Sequence, residues 1–598
     1  MGESCHGEPN AGKDCQAVRV PMDWLAPSEM RIGLGCMRLS TDPGADEERG
    51  HAVIAAAAQA GITVFDTARA YGPTPADVGH NERLLAAALR RCGAAETARV
   101  ITKGGMARAG GAWIPDGRAK AIRADCEASL DALGGLAIDT YLLHAPDPRT
   151  PWPTSVRALA ALVEDGLVAR VGVCNVNRRQ LDEALQVAPI GAVQVVLSPQ
   201  DDRALRGGIL DRCAQLGIPL IAHSPLGGVR RAGSLARDEA LTRIAAAHGV
   251  EPAEIALAWL LSLSPALIAI PGARRPETAR SAAHAAGIAL TGEERAALRP
   301  ASRVPARDAR APAADVVMVM GIPGAGKTRV ARDYMTRGYD RLNRDERGGS
   351  LRDIAEALHE RLAAGAPGVV LDNTYLTRAA RSYVLEAAAA HGAVVRCVWL
   401  NTPLAQAQVN LVARMIERFG EVPAPEEMRD LARAHEGVMA PTSQMRALRE
   451  LEPPSLDEGF ADIEEVAYAR APASPDTGPG VLVAAPALER PGWEAAVAAG
   501  EPTAPHLVFD WRPDGAPGAL DDAATRLRAV VTGTVDTALC PHEGGPPRCW
   551  CRPPLPGLAL TFAGARGVDL SRSLVVGSGP AHRTLANALG ARHVGVVA

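Results

Sequence analysis

Four polar side chains in the first part of the chain follow short apolar runs and could together move a proton onto a carbonyl oxygen. They are Asp66 in V-F-D-T, Tyr71 in the loop after it, Lys103 in V-I-T-K-G and His144 in Y-L-L-H. A phenol with a pKa of about 10 is a poor acid at neutral pH, but an adjacent ammonium stabilises the phenolate and lowers the pKa. A carboxylate can hold that ammonium, and an imidazole can orient a carbonyl oxygen. The set predicts a site that protonates a carbonyl while a hydride reaches its carbon.

The scarcity of lysine makes each lysine informative. Lys and Arg together number 64, yet Lys occurs only at Lys13, Lys103, Lys120 and Lys327. A chain that uses Arg almost everywhere for positive charge is expected to keep Lys where a compact, tunable ammonium is needed. Lys103 fits that expectation through its place in the first site. Lys120 lies on a polar, helix-like stretch and is expected at the surface.

A second group of residues has the spacing of a phosphate-binding loop. The run V-V-M-V-M precedes G-I-P-G-A-G-K-T, which supplies Gly321, Gly324, Gly326, Lys327 and Thr328. In such a loop backbone amides cradle phosphate, the lysine reaches the β and γ phosphates, and the hydroxyl ligates Mg²⁺. This predicts a site for ATP with Mg²⁺. The segment from Gly7 to Lys13 also spells GxxxxGK, but it lacks the hydroxyl, the strand and the helix, so we interpret it as a chance match.

A third group gathers metal ligands within a short stretch near the C-terminus. Its members are Cys540, His542, Cys549 and Cys551. Three thiols and one imidazole complete a tetrahedral set for structural Zn²⁺. Three of the chain's 11 cysteines fall here and most of the others are isolated. That usage indicates a reducing compartment rather than a disulfide framework.

The elements that must position these groups follow from hydrophobic patterning over 598 residues, which is too long for one core. Eight strand-like runs alternate with amphipathic stretches and predict a (β/α)₈ barrel. The runs are Arg31–Gly35, Thr63–Asp66, Val100–Lys103, Thr140–His144, Val168–Val173, Ala192–Leu197, Pro219–His223 and Ala266–Ile270. The four proton-transfer residues then lie at the C-terminal ends of strands, where barrel enzymes place their catalytic groups.

Two stretches rich in Pro, Ala and Arg divide the chain into an α/β multidomain protein. The predicted parts are an N-terminal extension (1–29), a barrel (30–300), a linker (301–314), a P-loop α/β domain (315–470), a second linker (471–480) and a smaller α/β domain (481–598). The net charge of −4 gives no indication of general electrostatic binding to nucleic acid or to a membrane. No apolar run approaches about 18 residues and no signal segment opens the chain, so we expect a cytoplasmic protein with no membrane partner.

The first part closely resembles the aldo-keto reductase family from Gly33 to about Leu290. The motifs that carry the resemblance are F-D-T-A-R-A-Y-G (65–72), N-E-R-L-L (81–85), I-T-K-G-G (101–105), L-L-H-A-P-D (142–147), G-L-V-A-R-V-G-V-C-N (166–175), H-S-P-L-G-G (223–228) and I-P-G-A-R (270–274). The resemblance implies a carbonyl substrate and NADPH as hydride source. It also implies Tyr71 as proton donor, supported by Lys103, Asp66 and His144.

The same resemblance implies a set of cofactor-binding residues. Asn175 and Gln194 would hold the nicotinamide carboxamide, with Ser224 in the same site. The segment Gly272, Ala273 and Arg274 would meet the cofactor phosphates, and Arg274 or Arg275 would favour a 2′-phosphate. Two positions depart from the family: Cys174 stands where Ser is common, and Leu197 where an aromatic residue commonly stacks on the nicotinamide.

The second part resembles the kinase domain of the polynucleotide kinase family. The motifs beyond the phosphate loop are N-R-D-E-R-G (343–348), L-D-N-T-Y (371–375), A-P-T (440–442) and D-E-G-F (457–460). The resemblance implies Asp345 as the base that takes the proton of a 5′-hydroxyl, and it places Asp372 near the acceptor. The family's lid arginine is absent here, which leaves Arg414 as the nearest substitute. A generic NTPase or a kinase for a small-molecule alcohol is the alternative, because the phosphate loop constrains only the donor.

The third part resembles the zinc-loop phosphatases of the haloacid dehalogenase superfamily, through C-P-H, C-W-C-R-P-P-L-P-G and V-G-S (576–578). That family opens with a strand ending in D-x-D, whereas the corresponding run Val481–Ala487 contains no Asp. The family's lysine is also missing, since no Lys follows Lys327. Without a nucleophile, phosphoryl transfer to Asp is unavailable. We therefore predict an inactive phosphatase-type domain.

Together these interpretations predict a bifunctional protein. An NADPH-dependent carbonyl reductase is joined to an ATP-dependent 5′-hydroxyl kinase for RNA or DNA ends, with a zinc-bearing inactive phosphatase domain and a role in nucleic-acid end repair. An alternative is that the barrel only binds nucleotide and regulates or assembles the kinase. Carbonyl substrate, RNA against DNA, and oligomeric state stay open at this stage.

Overall fold

The computed structural model describes residues 24–26, 28–109, 112–147, 149–228, 232–298, 314–435, 437–470, 477–513, 515–516, 518–545 and 548–596. Residues 1–23 and 27 of the predicted extension, with Lys13, lie outside the described residues. So do 301–313 of the first predicted linker and 471–476 of the second. The chain divides into two compact units, Met1–Ala301 and Ser302–Ala598, which we describe separately.

The first unit is built on eight parallel strands, and the predicted barrel is confirmed. In chain order the strands of the unit are β1 (Leu34–Gly35), β2 (Val64–Asp66), β3 (Arg99–Gly104), β4 (Met106–Ala109), β5 (Ala112–Pro115), β6 (Ile138–Leu143), β7 (Arg170–Cys174), β8 (Ala192–Val196), β9 (Leu220–His223) and β10 (Leu267–Ile270). All except the β4–β5 hairpin belong to the eight-stranded sheet, in chain order. Parallel bridges from Ile32 to Ala269 and from Gly35 to Gly272 join the first strand to the last.

Helices follow the barrel strands and bury one apolar face against them. They span Arg38–Thr41, Glu47–Gln59, His80–Arg91, Ala119–Leu133, Trp152–Glu164, Arg178–Leu185, Arg203–Arg206, Ile209–Leu216, Glu239–His248, Pro252–Leu263, Pro276–His284 and Gly292–Leu298, with 3₁₀ turns at Ala232–Arg237 and Ala285–Gly287. Local caps explain several starts: the Asp46 side chain accepts from the Arg49 amide, and Asn177 and Gln180 form a reciprocal capping box. Lys120 lies exposed on its helix, as predicted.

The barrel interior is closed at its N-terminal end by Trp24, which is 2% exposed. Its indole packs with inward-facing Val64, Ile101 and Leu142. The indole Nε1 donates to Asp139 Oδ1 at 2.5 Å. A plugged N-terminal end leaves the C-terminal end as the open face of the barrel, where the predicted polar residues lie.

The second unit contains two five-stranded parallel sheets. The first has the order β12-β13-β11-β14-β15, with β11 (Asp315–Met320), β12 (Asp340–Leu342), β13 (Gly368–Asp372), β14 (Val394–Asn401) and β15 (Asp462–Ala467). Its helices span Lys327–Met335, Arg344–Arg347, Leu351–Ala363, Arg378–Ala389, Leu404–Phe419, Met428–Ala434 and Pro441–Glu450, with a 3₁₀ turn at Leu456–Glu458. The phosphate loop follows the central strand β11, so it lies where strand order reverses.

The second sheet of this unit has the order β18-β17-β16-β19-β20. Its strands are β16 (Val481–Ala484), β17 (His506–Trp511), β18 (Val535–Cys540), β19 (Leu574–Gly577) and β20 (Arg592–Gly595). Helices at Trp493–Val497, Asp521–Arg528, Gly557–Arg566 and Pro580–Leu589 and 3₁₀ turns at Ala485–Ala487 and Leu570–Arg572 accompany it. Buried apolar clusters lie on both faces of β16, as a doubly wound parallel sheet requires.

Among the described residues, no single helix has the length and apolar character needed to cross a membrane. The pair Glu239–His248 and Pro252–Leu263, bent by 97°, meets those criteria by length and composition only.

Candidate functional site

The open end of the barrel holds a cavity of about 320 Å³ that brings most of the first predicted set together. Its lining includes Asp66, Tyr71, His144, Asn175, Gln194, Ser224 and Gly272. Strand register explains the convergence, because Asp66 pairs with Ile101, Lys103 with Leu142 and Cys174 with Gln194, all near strand ends. Lys103 lies beneath the lining and is 1% exposed.

Lys103 is held by a buried carboxylate and by backbone. Its Nζ lies 2.7 Å from both carboxylate oxygens of Asp66 and 2.7 Å from the Thr67 carbonyl. The same Nζ is 5.3 Å from the centre of the Tyr71 ring. An ammonium that is desolvated and bonded on three sides has one fixed position, so its charge acts on Tyr71 in a defined direction.

The Tyr71 phenol is a weaker acid than the sequence predicted. Burial raises its pKa to about 12, and the Asp66 charge adds to that effect, while the Lys103 ammonium opposes both. For Lys103 itself burial lowers the pKa, but the Asp66 carboxylate, together with the phenol of Tyr71 once it ionises, outweighs burial and the net pKa is raised. The expected lowering by the ammonium is therefore present but smaller than the cost of desolvation. Tyr71 carries its proton and Lys103 its charge throughout the neutral range.

His144 is a neutral imidazole beside the phenol. Burial, then the charges of Lys103 and His223, depress its pKa well below the usual 6.5. The ring stands edge-on to Tyr71, with centroids 5.7 Å apart. Its Nδ1 is buried without a hydrogen-bond partner among the described residues. The ring lines the cavity, and a neutral imidazole can orient a carbonyl oxygen there without adding a charge.

We expect the first unit to lose stability as pH falls from 7 to 5. Burial lowers the pKa of His223 to about 4, and that of His144 is also depressed, whereas both imidazoles take up protons near about pH 6.5 in the unfolded chain. Lowering the pH through that range therefore favours the unfolded state. Melting curves should show a smaller fall in melting temperature between pH 7 and pH 5 for His223→Asn than for the wild type. His284→Asn, at a side chain that is 65% exposed, is the control, and an unchanged drop for His223→Asn would contradict the assignment.

The predicted carboxamide ligands form one hydrogen-bonded group on the cavity wall. Gln194 Nε2 donates to Asp66 Oδ2 at 2.7 Å, and Asn175 Nδ2 donates to the His144 carbonyl at 3.0 Å. His223 Nε2 lies 3.0 Å from Asn175 Oδ1. Asn175 and Ser224 have φ values of 58° and 50°, in the left-handed region where non-glycine residues are uncommon. Such strain at a cavity wall is typical of binding sites, where it orients polar groups toward a ligand.

The two departures from the family pattern have different outcomes. The Cys174 thiol lies 3.7 Å from Gln194 Oε1 and 3.2 Å from Asn175 Nδ2, so it still links the two amides. Leu197 is fully buried and is not among the residues that line the cavity. The ring that does line the wall beside Ser224 is His223. Sequence reasoning missed His223, although its place directly before Ser224 in H-S-P-L-G-G was a usable signal.

A second residue missed by sequence reasoning is Trp113, on the β4–β5 hairpin over the cavity. It is 40% exposed, and its ring centre lies 5.9 Å from that of Tyr71 and 6.1 Å from that of His144. The Arg108 guanidinium stacks on its outer face at 4.8 Å and donates to the Gly72 carbonyl. An exposed aromatic ring beside a proton donor offers an apolar wall for a substrate. The available signal was a Trp close to Lys103 in a chain with only 3% aromatic residues.

The segment predicted to meet cofactor phosphates lies beside the cavity, where the chain passes from β10 to the helix Pro276–His284. That helix has no side-chain cap at its N-terminus. Arg274 and Arg275 precede it and are exposed, while Ala273 is buried. The Arg274 Nη1 is 3.6 Å from Asp42. Two exposed guanidinium groups at the N-terminus of a helix make this a basic site suited to phosphate.

The phosphate loop of the second unit has the geometry that its motif predicts. Gly324 and Gly326 have φ values of 86° and 98°, and a Cβ at Gly324 would lie 2.2 Å from the Ala407 carbonyl oxygen. Gly321 also has a positive φ, of 152°. Lys327 Nζ donates to the carbonyls of Gly321 and Ile322, each at 3.1 Å, and so lies folded over the loop. Thr328 lies exposed in the first turn of the helix that follows.

The predicted acceptor residues surround this lysine. Burial lowers the pKa of Lys327 to about 8, Asp372 and Asp345 oppose the shift, and Arg414 adds to it. All three charges are therefore near the ammonium. Asp372 is buried and paired with Arg341 at 2.7 Å, whereas Asp345 is half-exposed on the short helix Arg344–Arg347. Asp345 has a solvent-accessible ion pair with Arg344, at 3.6 Å, and can still reach an acceptor, whereas the buried Asp372 is held by Arg341.

One motif carried by the resemblance has a structural role. Arg381 is fully buried and forms two hydrogen bonds to Glu458 of D-E-G-F, at 2.8 and 2.7 Å. It also donates to the Tyr375 and Glu452 carbonyls. A guanidinium with this set of partners ties β13, its following helix and the segment before β15 together. It is not available to a phosphate.

The four predicted zinc ligands converge after β18. Their ligand atoms all lie within 4.8 Å of one another. Cys540 Sγ is 3.6 Å from Cys549 Sγ and 3.3 Å from Cys551 Sγ, and His542 Nδ1 is 3.5 and 3.2 Å from the sulfurs of Cys540 and Cys551. Metal–sulfur bonds of about 2.3 Å in a tetrahedron place sulfurs somewhat under 4 Å apart. The residues therefore fit a tetrahedral Zn²⁺.

The C-terminal edge of the third sheet offers little acidic chemistry. The 3₁₀ turn Ala485–Ala487 follows β16, and Gly577 and Ser578 follow β19. His582 packs against Gly577, and its Nδ1 accepts from the Ser578 amide at 3.1 Å. Asp510 in β17 is a carboxylate that sequence reasoning did not single out, and its Oδ2 accepts from Arg512 Nε at 2.8 Å. A carboxylate neutralised in this way is a poor nucleophile.

Comparison with known proteins identifies the first unit. Residues 31–302 match the model of the aldo/keto reductase family. The aldo-keto reductase str7 of Strobilurus tenacellus is 30% identical over 283 residues, which cover 42% of this chain and 81% of that protein. Probable aldo-keto reductase 1 of Glycine max is 32% identical over 275 residues, covering 40% of this chain and 76% of that protein. The chain belongs to the aldo/keto reductase family.

A solved structure and a second family model complete the comparison. The aldo/keto reductase of Klebsiella pneumoniae in complex with NADP and acetate is 28% identical, covers 45% of this chain and 89% of its own, and has a TM-score of 0.38. Residues 316–436 match the model of an AAA domain. The two family models and the curated relatives confirm the predicted reductase part as an oxidoreductase domain and the predicted P-loop part as a kinase-like P-loop domain.

Proposed function

We propose that the first unit is an NADPH-dependent carbonyl reductase. The observation that carries the proposal is the buried Lys103–Asp66 pair directly beside Tyr71, on the wall of the 320 Å³ cavity. Asn175, Gln194 and Ser224 would hold the nicotinamide, and Gly272, Ala273, Arg274 and Arg275 the phosphates. When bound, the reduced nicotinamide supplies the hydride.

The residues of this chain then have distinct tasks. His144, a neutral ring on the cavity wall, orients the carbonyl oxygen of the substrate. Tyr71 donates its proton to that oxygen, and the developing phenolate is stabilised by Lys103. Asp66 keeps Lys103 in place and never needs to touch the substrate. Trp113 covers the cavity and excludes water from the reacting carbonyl.

The decisive experiment follows NADPH oxidation by the purified protein with free aldehydes and ketones. NADH is the paired cofactor, and a loss of NADPH preference in Arg274→Ala with Arg275→Ala would support the assigned phosphate contacts. An oligonucleotide ending in an aldehyde tests whether the carbonyl belongs to nucleic acid. Preference for free aldehydes would separate the reductase from end repair.

We propose further that the P-loop domain transfers the γ-phosphate of ATP to the 5′-hydroxyl of an RNA or DNA end. The supporting observation is that the half-exposed Asp345 and the Arg414 guanidinium both act electrostatically on Lys327. Asp345 would take the proton of the hydroxyl, Lys327 and Arg414 would neutralise the migrating phosphoryl group, and Thr328 would ligate Mg²⁺. Nucleic-acid end repair is the role that this activity suggests.

Labelled γ-phosphate distinguishes the possible acceptors. The assay offers 5′-hydroxyl RNA, 5′-hydroxyl DNA and a panel of small alcohols, with Asp345→Asn as the matched variant. Transfer to a polynucleotide that falls by about 10²-fold or more in Asp345→Asn supports the proposal. Transfer to small alcohols alone would favour the alternative acceptor class.

We propose that the third part is an inactive phosphatase-type domain with a structural Zn²⁺ at Cys540, His542, Cys549 and Cys551. Metal analysis of the full-length protein should find one zinc per chain, and Cys549→Ser should lose it because a thiolate ligand is removed. Cys92→Ser, at a half-buried thiol outside the cluster, is the control. Zinc-free wild-type protein, or robust phosphatase activity, would refute this part of the proposal.

A further inference from the structure

We propose that Trp550, the residue between two zinc ligands, positions the phosphate-binding loop of the kinase-like domain. The inference rests on the proposed ATP and Zn²⁺ sites and goes beyond them. It assigns the zinc loop a task in nucleotide binding: the metal holds Trp550 in a slot between the helix Leu404–Phe419 and the segment that leads into the helix Pro441–Glu450.

Trp550 is the anchor of the contact between the two halves of the second unit. Its side chain is fully buried, although Cys551 beside it is not. The indole and Leu555 form a cluster with apolar side chains of the P-loop domain. These side chains are Leu411, Val412, Met415, Met428 and Val438. A buried Trp is among the largest single contributions to a packed interface.

The first route from Trp550 to the phosphate loop runs through the helix Leu404–Phe419. The face of that helix carrying Leu411 and Met415 packs on Trp550. Asn410 of the same helix donates to the Gly324 carbonyl at 2.9 Å. Ala407 lies so close to Gly324 that no Cβ would fit between them. The position of this helix therefore sets the position of the loop.

The second route runs through the helix Pro441–Glu450. The Trp550 indole Nε1 donates to the Met439 carbonyl at 2.8 Å, just before that helix begins. Gln444 on the helix is fully buried and donates to the Pro323 carbonyl of the phosphate loop at 2.8 Å. Trp550 thus supports both helices that donate side-chain hydrogen bonds to adjacent carbonyls of the loop.

The zinc ligands explain how one tryptophan can bear this role. Between β18 and the helix Gly557–Arg566, the described residues form neither helix nor strand. Backbone order in that segment must come from side chains, and the ligands Cys549 and Cys551 flank Trp550 directly. A tetrahedral metal at these four ligands fixes the backbone on both sides of the indole. Loss of the metal is expected to release Trp550 from its slot.

The test measures nucleotide affinity as well as kinase rate. Full-length wild type, Trp550→Ala, Trp550→Phe and Trp493→Ala are titrated with a fluorescent ATP analogue, each before and after removal of zinc by a chelator. Trp493 packs against the core of the sheet that contains β16, and the apolar cluster it joins includes no residue of the P-loop domain. Its replacement therefore controls for a general loss of stability in the third part. Because both tryptophans lie in the second unit, circular dichroism and a melting curve of each variant, rather than barrel activity, report whether that unit remains folded.

We expect Trp550→Ala to weaken analogue binding by about 10- to 100-fold while Trp493→Ala changes it less than about threefold. Trp550→Phe keeps most of the packing and loses only the bond to Met439, so it should fall between them. Zinc removal should weaken binding in the wild type and add little in Trp550→Ala. Effects of zinc removal and of Trp550→Ala that do not add would show that the metal acts on nucleotide binding through Trp550.

The outcomes separate the inference from the proposal beneath it. If the wild type binds no analogue, the ATP site itself is wrong. Equal affinity in the wild type and in both Trp550 variants overturns the positioning role and leaves the kinase proposal standing. If Trp550→Ala loses its zinc, Trp550→Phe becomes the deciding variant. A Trp550→Phe protein that keeps its zinc and binds the analogue with wild-type affinity would refute the role of the hydrogen bond to Met439.

Discussion

Replacing Tyr71 by Phe is expected to lower the rate of carbonyl reduction by about 10²- to 10⁴-fold, the range typical of losing a positioned general acid. The substitution removes only a hydroxyl, and the ring keeps its edge contacts with His144 and Trp113. Lys103 stays bound to both oxygens of Asp66. The loss should therefore appear in kcat, with cofactor affinity nearly unchanged. Steady-state assays of NADPH oxidation measure kcat, and a direct titration with NADPH measures cofactor affinity separately.

The two-unit organisation supplies a control within the same molecule. Tyr71→Phe should leave phosphoryl transfer from ATP unaltered, because Tyr71 lies in the cavity of the first unit and the phosphate loop belongs to the second. A variant that kept full reductase activity would show that another group donates the proton. Parallel loss of kinase activity would instead favour a barrel that regulates the kinase.

Replacing Lys327 by Met is expected to have the second large effect. The ammonium folded over the carbonyls of Gly321 and Ile322 is the principal positive charge available to the phosphates in this loop. Its removal should reduce phosphoryl transfer by at least about 10²-fold, since electrostatic stabilisation dominates this chemistry. Met keeps the length and apolar character of the stem, so the loop should keep its shape.

The pH dependence of nucleotide binding gives this prediction a second readout. Burial lowers the pKa of Lys327 to about 8, so the charge that attracts phosphate disappears as pH rises above that value. Affinity for ATP should therefore weaken between pH 8 and pH 9.5 in the wild type, with a limiting slope of about tenfold per pH unit for a single proton. Lys327→Met should bind weakly at every pH and show no such slope. A wild type whose affinity is flat over this range would contradict the assignment.

How much of each site could be predicted from the sequence depended on whether its residues are contiguous in the chain. A Walker-type loop is contiguous, so the glycines, Lys327 and Thr328 specify their own geometry and the structure matches the expectation. The zinc ligands are equally local and lie within 4.8 Å of one another. The barrel quartet is spread along the chain, yet it was predictable because parallel strands bring their C-terminal ends to one rim.

Other features depended on contacts between residues far apart in the chain. The acidity of Tyr71 is one: the sequence shows an ammonium nearby, but only packing reveals that desolvation outweighs it and raises the pKa to about 12. Glu458 is another: its motif D-E-G-F supported the kinase resemblance, and only the fold shows that this side chain pairs with the buried Arg381. Trp113 and His223 had sequence signals that were missed, and only the folded hairpin and the strand end show that both side chains line the cavity.

By itself, then, the sequence determined the chemistry available at each site, because residue type and local spacing set which groups can donate, accept, ligate or cradle. Lys103 and Lys327 could be assigned to two different chemistries from their immediate neighbours alone. Tertiary structure decided how strongly those groups are charged and which elements hold them. Desolvation and long-range packing are properties of the folded interior. Only the fold brings Trp550 of the zinc loop against the P-loop domain, where it packs on the helix Leu404–Phe419 and bonds to Met439.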